Sequence, residues 1–379
     1  MNRRLRERIS SAVPFRVEIR KGSRCTLHDN SFQRTDCNSP VHTYQGRVVA
    51  FVSHYLPIGH TYRRVGERGL IFTSPLEPVR IEADPDPSAG KWIESIWRDS
   101  SGKLYGWYHA EILAHCAKRL FIPHIGSLHS NDDGLTWHLD DVLLRAPVDL
   151  FDCSYQNGFL AGGYGDFSVI PDRTQTYFYL HFSSYVPLEQ SQGIAVARYP
   201  IEARDNPAPT VEIWSEGMWR KGGGHLPTPF FPVIRGWSHK DPDAFWGPAV
   251  HYNRDLQTFV MLVNHTQHGE GDIRQEGIYC SFNKDPADPE GWSPPICIVK
   301  GGGWYPQVVG LGPEDGDTIS GAAARFFMTG FSEWEIRFTR STSRQPTPPE
   351  INWFSILEHF SCGPHGAEPP IVPQQRQQP

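Results

Sequence analysis

The sequence predicts an all-β protein, a five-bladed β-propeller built from four-stranded antiparallel blades. Two observations favour this fold. The 379 residues include 35 glycines and 33 prolines, and 12% of them are aromatic. Leu- and Ala-rich helical periodicity is nearly absent, so the composition is typical of many short strands joined by turns. The second observation is an internal repeat, because one strand pattern recurs five times along the chain.

The repeated unit is a short apolar strand that ends in a small polar, His or Tyr residue. Each copy follows another strand and a turn of hairpin composition, and most copies precede a third strand. The copies are anchored by His54, His109, Ser184, His265 and Ser332. Their spacing exceeds the ~40–50 residues of a simple propeller blade, which fits four-stranded blades with loop insertions. A two-sheet β-sandwich is the alternative architecture.

The two ends of the chain differ in composition from its middle. Residues 1–24 are polar and basic, and we expect a loose arm or an edge strand around residues 15–19. The propeller is expected to span residues 25–340. Residues 341–379 form a Pro/Gln-rich C-terminal tail, in which residues 352–357 are expected to pack as a short terminal element. Disorder is expected from residue 364 onward.

The charge balance excludes some classes of function. The chain has 36 Lys and Arg against 42 Asp and Glu, a formal net charge of −6. A nucleic-acid binder normally shows a basic excess or a basic stripe, so no nucleic-acid partner is expected. No stretch approaches ~18 consecutive apolar residues, so no membrane span is predicted. The Arg-rich beginning lacks the apolar core of a secretory signal, which predicts a cytoplasmic protein.

The cysteines are too few and too scattered for a disulfide scaffold. There are seven of them, and no Cys-x-x-Cys pair occurs among them. The sequence therefore predicts free thiols in a reducing compartment.

Strand order within a blade predicts which residues face a common site. The first strand of a blade begins, and the second strand ends, on one face near the central channel. The residues that open the first strands of blades one, two and three are acidic: Asp36, Glu94 and Asp166. The second strands end near His54, His109, Glu111, Tyr185 and His265. Four further residues are expected at the same level: Asn38, Trp246, Tyr305 and Gln307.

A concave ring of carboxylates, histidines and aromatic rings suits glycoside hydrolysis. That reaction needs one carboxyl group as acid and a second as base or nucleophile. We expect Asp36 as base or nucleophile, Glu94 as acid and Asp166 as the orienting group. The substitutes for the acid are Glu111 and Glu276. No cofactor and no catalytic metal are expected, although the histidines and carboxylates leave a structural divalent ion in the channel as an alternative.

The segment from Ser130 to Trp137 reads S-x-D-x-G-x-T-W and resembles the Asp box of sialidases and related propellers. Its Asp closes a turn through backbone N–H groups, and its Gly takes a positive φ. A degenerate version runs from Ser281 to Trp292. Both are expected on the face opposite the site, with a structural role. The sialidase activity itself is not expected, because no arginine opens a first strand.

The chain as a whole resembles the five-bladed propeller glycosidases, a group that contains arabinanases, β-xylosidases and invertase-like fructosidases. In that group one acidic residue opens blade one, a second opens blade three, and a Glu from another blade is the general acid. Asp36 and Asp166 match the first two positions, whereas the Glu has the candidates Glu94, Glu111 and Glu276. The W-M-N-D-P signature of fructosidases is absent.

The resemblance implies a carbohydrate partner and a glycoside hydrolase. The alternative class is a non-catalytic propeller that binds a glycan or a protein through the same face. Lyase, phosphorylase and metal-dependent chemistry complete the alternatives. The sequence indicates no oligomeric state.

Overall fold

The computed structural model describes residues 14–29, 35–55, 59–87, 89–147, 149–222, 224–267, 274–341 and 343–361. These residues form five sheets and one α-helix, α1 (Trp353–Ser361). The short 3₁₀ helices are Glu189–Ser191, Ile201–Ala203, Ala208–Thr210 and Pro289–Gly291. Within the described ranges, no helix has the length and apolar character needed to cross a membrane.

The sheets are numbered in chain order of their innermost strands. Sheet 1 holds β2 (Val41–Tyr44), β3 (Arg47–His54), β4 (His60–Glu67), β5 (Ile71–Phe72) and β6 (Glu77–Pro78). Sheet 2 holds β7 (Arg80–Glu82), β8 (Gly90–Arg98), β9 (Leu104–Leu113), β10 (Phe121–Ser130) and β11 (Thr136–Leu144). Sheet 3 holds β12 (Tyr164–Pro171), β13 (Tyr177–Ser184), β14 (Gly193–Pro200), β15 (Glu212–Ser215), β16 (Met218–Lys221) and β17 (Phe231–Pro232).

Each of the last two sheets includes one strand from near an end of the chain. Sheet 4 holds β18 (Ala244–Asn253), β19 (Thr258–Gln267), β20 (Arg274–Asn283), β21 (Ile296–Gly301), β23 (Ile319–Ser320) and β26 (Glu350–Ile351). Sheet 5 holds β22 (Gln307–Gly310), β24 (Ala323–Met328), β25 (Phe331–Arg340) and β1 (Phe15–Thr26). Four antiparallel strands form the body of every sheet, as predicted, and short strands extend sheets 1 to 4.

The sheets form a ring because each packs against the next through a hydrophobic core. Strand β3 shows how one strand serves two cores. Val49 and Phe51 pack in the core shared with sheet 2, whereas Val48, Ala50 and Val52 pack in the core shared with sheet 5. Successive side chains of a strand point to opposite faces, so a strand between two sheets is apolar on both faces. Similar cores join sheets 2 and 3, 3 and 4, and 4 and 5. The protein is therefore all-β with a propeller-like arrangement of sheets.

The innermost strands surround a narrow channel. Its cavity has a volume of about 20 Å³ and is lined mainly by β8, β12, β18 and β22. Polar groups reach it from several sides, among them Asn38, Glu94, His251, Gln307 and Asp317. A polar cavity of this size is large enough for about one water molecule.

The ring is closed by the beginning of the chain. Strand β1 lies antiparallel to β25, with Phe15 opposite Arg340 and Thr26 opposite Phe331. Phe15 and Val17 are buried in the core between sheets 4 and 5. Of the two alternatives predicted for the N-terminal arm, residues 15–24 thus form the edge strand, and residues 1–13 lie outside the described residues.

The described part of the predicted tail also packs on the sheets. The Gln345 side chain accepts a hydrogen bond from Val17 N at 3.1 Å and donates one to Phe15 O. Strand β26 extends sheet 4 in parallel with β21, and helix α1 begins two residues later with Trp353 packed on the core. The expected short terminal element at residues 352–357 is this helix, while the stretch expected to be disordered, 364–379, lies outside the described residues.

The prediction of free thiols is wrong for one pair of cysteines. Cys116 and Cys153 form a disulfide that joins the loop after β9 to the loop before β12. The two cysteines are 37 residues apart, so their proximity depends on how sheets 2 and 3 pack and leaves no local sequence pattern. The described free cysteines are Cys25, Cys37, Cys280 and Cys297. Because disulfides persist in oxidising compartments, the cysteine pattern gives no support to the predicted cytoplasmic location.

The segment from Ser130 to Trp137 forms the turn between β10 and β11. The Asp132 carboxylate accepts hydrogen bonds from Ser130 Oγ and Thr136 N, both at 2.8 Å. Gly134 has a φ of 84°, and the Trp137 ring is fully buried between sheets 1 and 2. Antiparallel strand order puts this turn on the face opposite the starts of the innermost strands. Its contacts are those of a structural turn.

Candidate active site

Irregular backbone places three carboxylates at the starts of innermost strands. Asp36 precedes β2, and its N–H donates to Ser53 O at 3.0 Å. Glu94 lies in a bulge of β8, and Asp166 lies in a bulge of β12 with a φ of 40°. A β-bulge inserts one unpaired residue and re-aims its side chain. The bulges thus turn Glu94 and Asp166 out of the strand pairing and into the site.

These carboxylates gather around His109, which lies inside the strand β9 and not at its end, where it was predicted. Glu94 Oε1 lies 3.0 Å from His109 Nδ1, and Cys37 Sγ lies 3.5 Å from the same nitrogen. Glu111 Oε1 lies 3.9 Å from His109 Nε2. We call Asp36, Glu94, Glu111 and Asp166, with His109 between them, the carboxylate cluster. It brings together all three carboxylates predicted to be catalytic, and one of the two substitutes.

Two tyrosines hold the outer members of the carboxylate cluster. The Tyr305 hydroxyl donates to Asp36 Oδ1 at 2.8 Å, and the Tyr185 hydroxyl donates to Asp166 Oδ2. Both tyrosines are buried. Hydrogen bonds to a carboxylate are charge-assisted and therefore stronger than neutral ones. Each tyrosine thereby fixes the direction in which its carboxylate points.

Three of the carboxylates differ in how much of the side chain is exposed to solvent. The Glu94 side chain is 0% exposed, and its second oxygen accepts a hydrogen bond from Phe167 N at 3.1 Å. The Glu111 side chain is 25% exposed, and Asp36 is half-buried. Solvent and ligands therefore reach Asp36 and Glu111, while Glu94 is enclosed by protein.

The electrostatics of the carboxylate cluster follow from this burial. Burial raises the pKa of Glu111 to about 7, against the opposing charge of His109 and with help from Asp36, Asp166 and Glu94. Burial also raises the pKa of Asp36, which the hydrogen bond from Tyr305 opposes. A carboxyl group with a pKa near 7 can carry a proton at neutral pH.

His109 is the positive charge of the cluster. Burial lowers its pKa, but the hydrogen bond to Glu94 and the charges of Glu94, Asp166 and Glu111 raise it by more. The net direction is upward, so His109 is protonated at neutral pH. Burial raises the pKa of its hydrogen-bond partner Glu94 to about 7, against the hydrogen bond and the charge of His109. Removing either partner of such a pair leaves an uncompensated charge in the interior.

Aromatic rings pack into a largely buried cluster beside Asp36 and Asp166. The ring centroid of Trp246 lies 5.5 Å from those of both Trp304 and Tyr305, and the rings meet edge-on. On the other side, Trp237 stands edge-on to Tyr185 at 5.0 Å. We call these five residues the aromatic wall. Among the described residues, the buried indole N–H groups of Trp237 and Trp246 have no hydrogen-bond partner.

Two predicted binding residues serve instead as ties across the channel. The Asn38 amide donates to Phe167 O at 3.0 Å and to Pro248 O at 3.1 Å. The Gln307 amide bonds the backbone N–H and the backbone carbonyl of Ser39. Their hydrogen bonds join sheets 1, 3, 4 and 5, while Asn38 Oδ1 has no hydrogen-bond partner among the described residues.

Two predicted histidines lie in separate clusters. His54 Nε2 is 2.8 Å from His28 Nδ1 in a stacked, buried histidine pair. His265 lies between two carboxylates, with Asp243 Oδ1 3.2 Å from Nε2 and Glu276 Oε2 3.3 Å from Nδ1. Glu276, a substitute candidate for the acid, therefore belongs to the His265 cluster. Among the described residues, it contacts no member of the carboxylate cluster.

Sequence reasoning missed three residues of the site. Cys37 follows Asp36 directly, yet an isolated cysteine carries no motif. Trp237 and Trp304 lie in the loops that precede the innermost strands of sheets 4 and 5. Their rings contact the predicted residues Tyr185 and Tyr305. The proximity of Trp304 to Tyr305 was the one available signal. Cys37, Glu94 and His109 also include three potential metal-ligand atoms within 4.8 Å of one another.

Comparisons with known proteins show likeness in architecture only. No protein-family model and no curated protein matches the sequence. An arabinanase from Bacillus subtilis is 12% identical, with a TM-score of 0.45 over 84% of this chain and 96% of that one. A Penicillium chrysogenum α-L-arabinanase with arabinobiose is 12% identical, with a TM-score of 0.47 over 83% and 85%. The catalytic domain of a Coprinopsis cinerea α-L-arabinofuranosidase is 10% identical, with a TM-score of 0.46 over 88% and 99%. These values assign the chain to no family.

Proposed function

We propose that this protein is a carbohydrate-active enzyme, a glycoside hydrolase that uses the carboxylate cluster. The observation that supports this most directly is the pair of accessible carboxyl groups, Asp36 and Glu111, backed by the enclosed Glu94–His109 pair. Hydrolysis of a glycosidic bond needs two carboxyl groups that reach the sugar from different directions. Asp36 comes from the segment before sheet 1, and Glu111 comes from the second strand of sheet 2.

We assign Asp36 as base or nucleophile, because Tyr305 holds its carboxylate and solvent reaches it. Glu111 takes the role of acid in place of Glu94. Both oxygens of Glu94 are already engaged, one with His109 and one with Phe167 N, and its side chain is fully buried. Glu94 therefore positions His109 and favours its protonated form, and Asp166 remains the orienting group. General acid–base catalysis requires geometry first, and Glu94 cannot reach a leaving group without rearrangement.

The aromatic wall supports a carbohydrate as the substrate. Flat aromatic faces pack against the C–H surfaces of sugar rings, and unpartnered indole N–H groups suit hydroxyl acceptors. The wall lies on sheets 3, 4 and 5, while three of the four carboxylates belong to sheets 1 and 2. Tyr305 and Tyr185 of this wall hold Asp36 and Asp166 directly, so a sugar at these carboxyl groups would also lie next to the wall. In this proposal the five sheets are the blades of one propeller domain, closed by β1.

The proposal is tested with a panel of aryl glycosides and natural polysaccharides. Once a substrate is found, Asp36→Asn and Glu111→Gln should each lower kcat/KM by ~10²–10⁴-fold, the usual worth of acid–base catalysis. Glu276→Gln is the matched control, because Glu276 is a partly exposed glutamate in the His265 cluster. It should leave kcat/KM near the wild-type value.

Two results would contradict this proposal. Folded Asp36→Asn and Glu111→Gln variants with wild-type kcat/KM would remove the carboxylate cluster from the reaction. Sugar binding by calorimetry without turnover on any substrate would replace the hydrolase with a glycan-binding protein.

A further inference from the structure

We propose that Cys37, Glu94 and His109 form a binding site for a transition-metal ion of the zinc class. The three side chains come from separate parts of the fold, the segment before β2 and the strands β8 and β9. All three are more than nine-tenths buried. Their ligand atoms, one sulfur, one carboxylate oxygen and one imidazole nitrogen, lie within 4.8 Å of one another.

The distances suit coordination to one ion. Ligand atoms of a tetrahedral zinc site lie roughly 3.3–3.6 Å apart, given zinc–ligand bonds of about 2.0–2.3 Å. In this structure Cys37 Sγ and Glu94 Oε1 lie 3.5 Å and 3.0 Å from His109 Nδ1. The third pair of ligand atoms, from Cys37 and Glu94, lies within 4.8 Å. Three protein ligands leave one tetrahedral position open, as in zinc sites that bind water.

The surroundings supply the outer contacts that metal sites need. Glu94 Oε2 is fixed by the Phe167 N–H, which leaves Oε1 directed at His109. The other imidazole nitrogen, His109 Nε2, lies 3.9 Å from Glu111 Oε1 and has no hydrogen-bond partner among the described residues. A metal-binding histidine typically directs its second nitrogen at a carboxylate, which orients the ring.

Charge also favours a cation at this place. Four carboxylates share the cluster, and within the described ranges His109 is the one basic side chain in contact with them. An uncompensated buried charge is costly, so a divalent ion would relieve the excess of negative charge. Burial and the neighbouring carboxylates raise the pKa of Cys37 well above its ordinary value. A bound ion would deprotonate this thiol, and the thiol proton and the His109 Nδ1 proton would leave to solvent.

The mixture of ligands selects the class of ion. Thiolate and imidazole are preferred by zinc and similar transition metals, whereas Ca²⁺ and Mg²⁺ prefer oxygen ligands. We therefore infer a zinc-class ion, distinct from the structural divalent ion that the sequence left open for the channel.

The test is a Co²⁺ titration of the full chain after treatment with a chelator. Wild-type protein should bind one ion and show a near-ultraviolet sulfur-to-cobalt charge-transfer absorption. Cys37→Ser should abolish that absorption. Cys297→Ser is the matched control, because Cys297 is a free, partly buried thiol on β21 in sheet 4. It should retain the absorption, and Glu94→Gln should weaken the binding at least ~10-fold.

The proposal is overturned if wild-type protein gives no charge-transfer absorption, or if Cys37→Ser leaves it unchanged. Should Cys37→Ser fail to fold, X-ray absorption spectra of the Zn²⁺-loaded wild type decide the matter. One sulfur neighbour supports the site, and oxygen and nitrogen neighbours alone reject it. These readouts do not involve sugar hydrolysis, so they are independent of the proposed glycosidase activity.

Discussion

Three non-glycine residues at the site hold a backbone conformation that L-amino acids rarely adopt. Cys37 has a φ of 72°, Asp166 of 40° and Tyr305 of 52°. Each such residue costs about 1–3 kcal/mol and persists only where its surroundings enforce that conformation. Two of them are joined through Asp36, which precedes Cys37 and accepts the hydrogen bond from Tyr305. Strain concentrated around one carboxylate is typical of a functional site.

At the same scale, Asp317 makes the stability of the protein depend on pH. Burial raises the pKa of this channel residue to about 7. Because its folded-state pKa lies above the unfolded value, the native state binds more protons between about pH 4 and 7, and stability falls as pH rises through that window. Asp317→Asn, which cannot ionise, should raise Tm relative to wild type at pH 8 and change it less at pH 5.

Thermal unfolding of both proteins at the two pH values measures this difference. Glu314→Gln is the control, because Glu314 is exposed on the same loop. Its effect on Tm should be equal at pH 5 and pH 8. An Asp317→Asn effect that is also equal at both would contradict the assigned cause.

The sequence located the carboxylates but not their exposure. Strand order alone predicted that Asp36, Glu94 and Asp166 would meet, and His109 lies among them. Which glutamate reaches solvent depends on the bulge at Glu94, because one inserted residue changes the face to which a side chain points. No sequence pattern marks such a bulge, so the exchange of roles that we propose for Glu94 and Glu111 rests on their burial and contacts in the structure.

At the scale of the element, the start of β14 depends on a glycine. Gly193 has a φ of 128°, and a Cβ at this position would lie 2.1 Å from Phe231 O of the neighbouring strand β17. Gly193→Ala should therefore lower the free energy of unfolding through both steric clash and backbone strain. Gly217 in the β15–β16 turn has a φ of 81° and nothing within 4 Å of its Cβ position.

Gly217→Ala is thus the control for backbone strain alone, worth about 1–2 kcal/mol. Denaturant unfolding of both variants measures the difference, which should leave Gly193→Ala the less stable. Equal losses would show that β17 moves away without cost.

The inner strands were predictable because their composition is extreme. Strand β19 is almost wholly buried, and from Phe259 to Val263 it is apolar on both faces. An unbroken apolar run of this kind already indicates a strand buried on both faces. The short strands β7, β23 and β26 were not predicted, and β23 pairs with the innermost strand β18. They have two or three residues each and pair in parallel with distant segments, so tertiary contact rather than local sequence determines them.

At the scale of the whole molecule, the Cys116–Cys153 disulfide should stabilise the fold by joining sheets 2 and 3. A crosslink over 37 residues is worth about 4 kcal/mol by loop-closure entropy, as an upper value. Reductant should lower the Tm of the wild type and leave that of the Cys116→Ser/Cys153→Ser variant unchanged. A wild-type Tm that is insensitive to reductant, with both thiols then shown free by mass spectrometry, would contradict this expectation.

The closure of the ring by β1 has a consequence for biosynthesis. Strand β1 leaves the ribosome before the other strands described here, and its partner β25 follows much later in the sequence. At synthesis rates of ~5–20 residues per second, β1 waits roughly 15–65 seconds for that partner. During this interval its backbone edge and the apolar side chains of Phe15 and Val17 lack their final contacts, which makes the nascent chain a client for chaperones. Among the described strands, the earliest in the sequence is thus one of the last to find its partner.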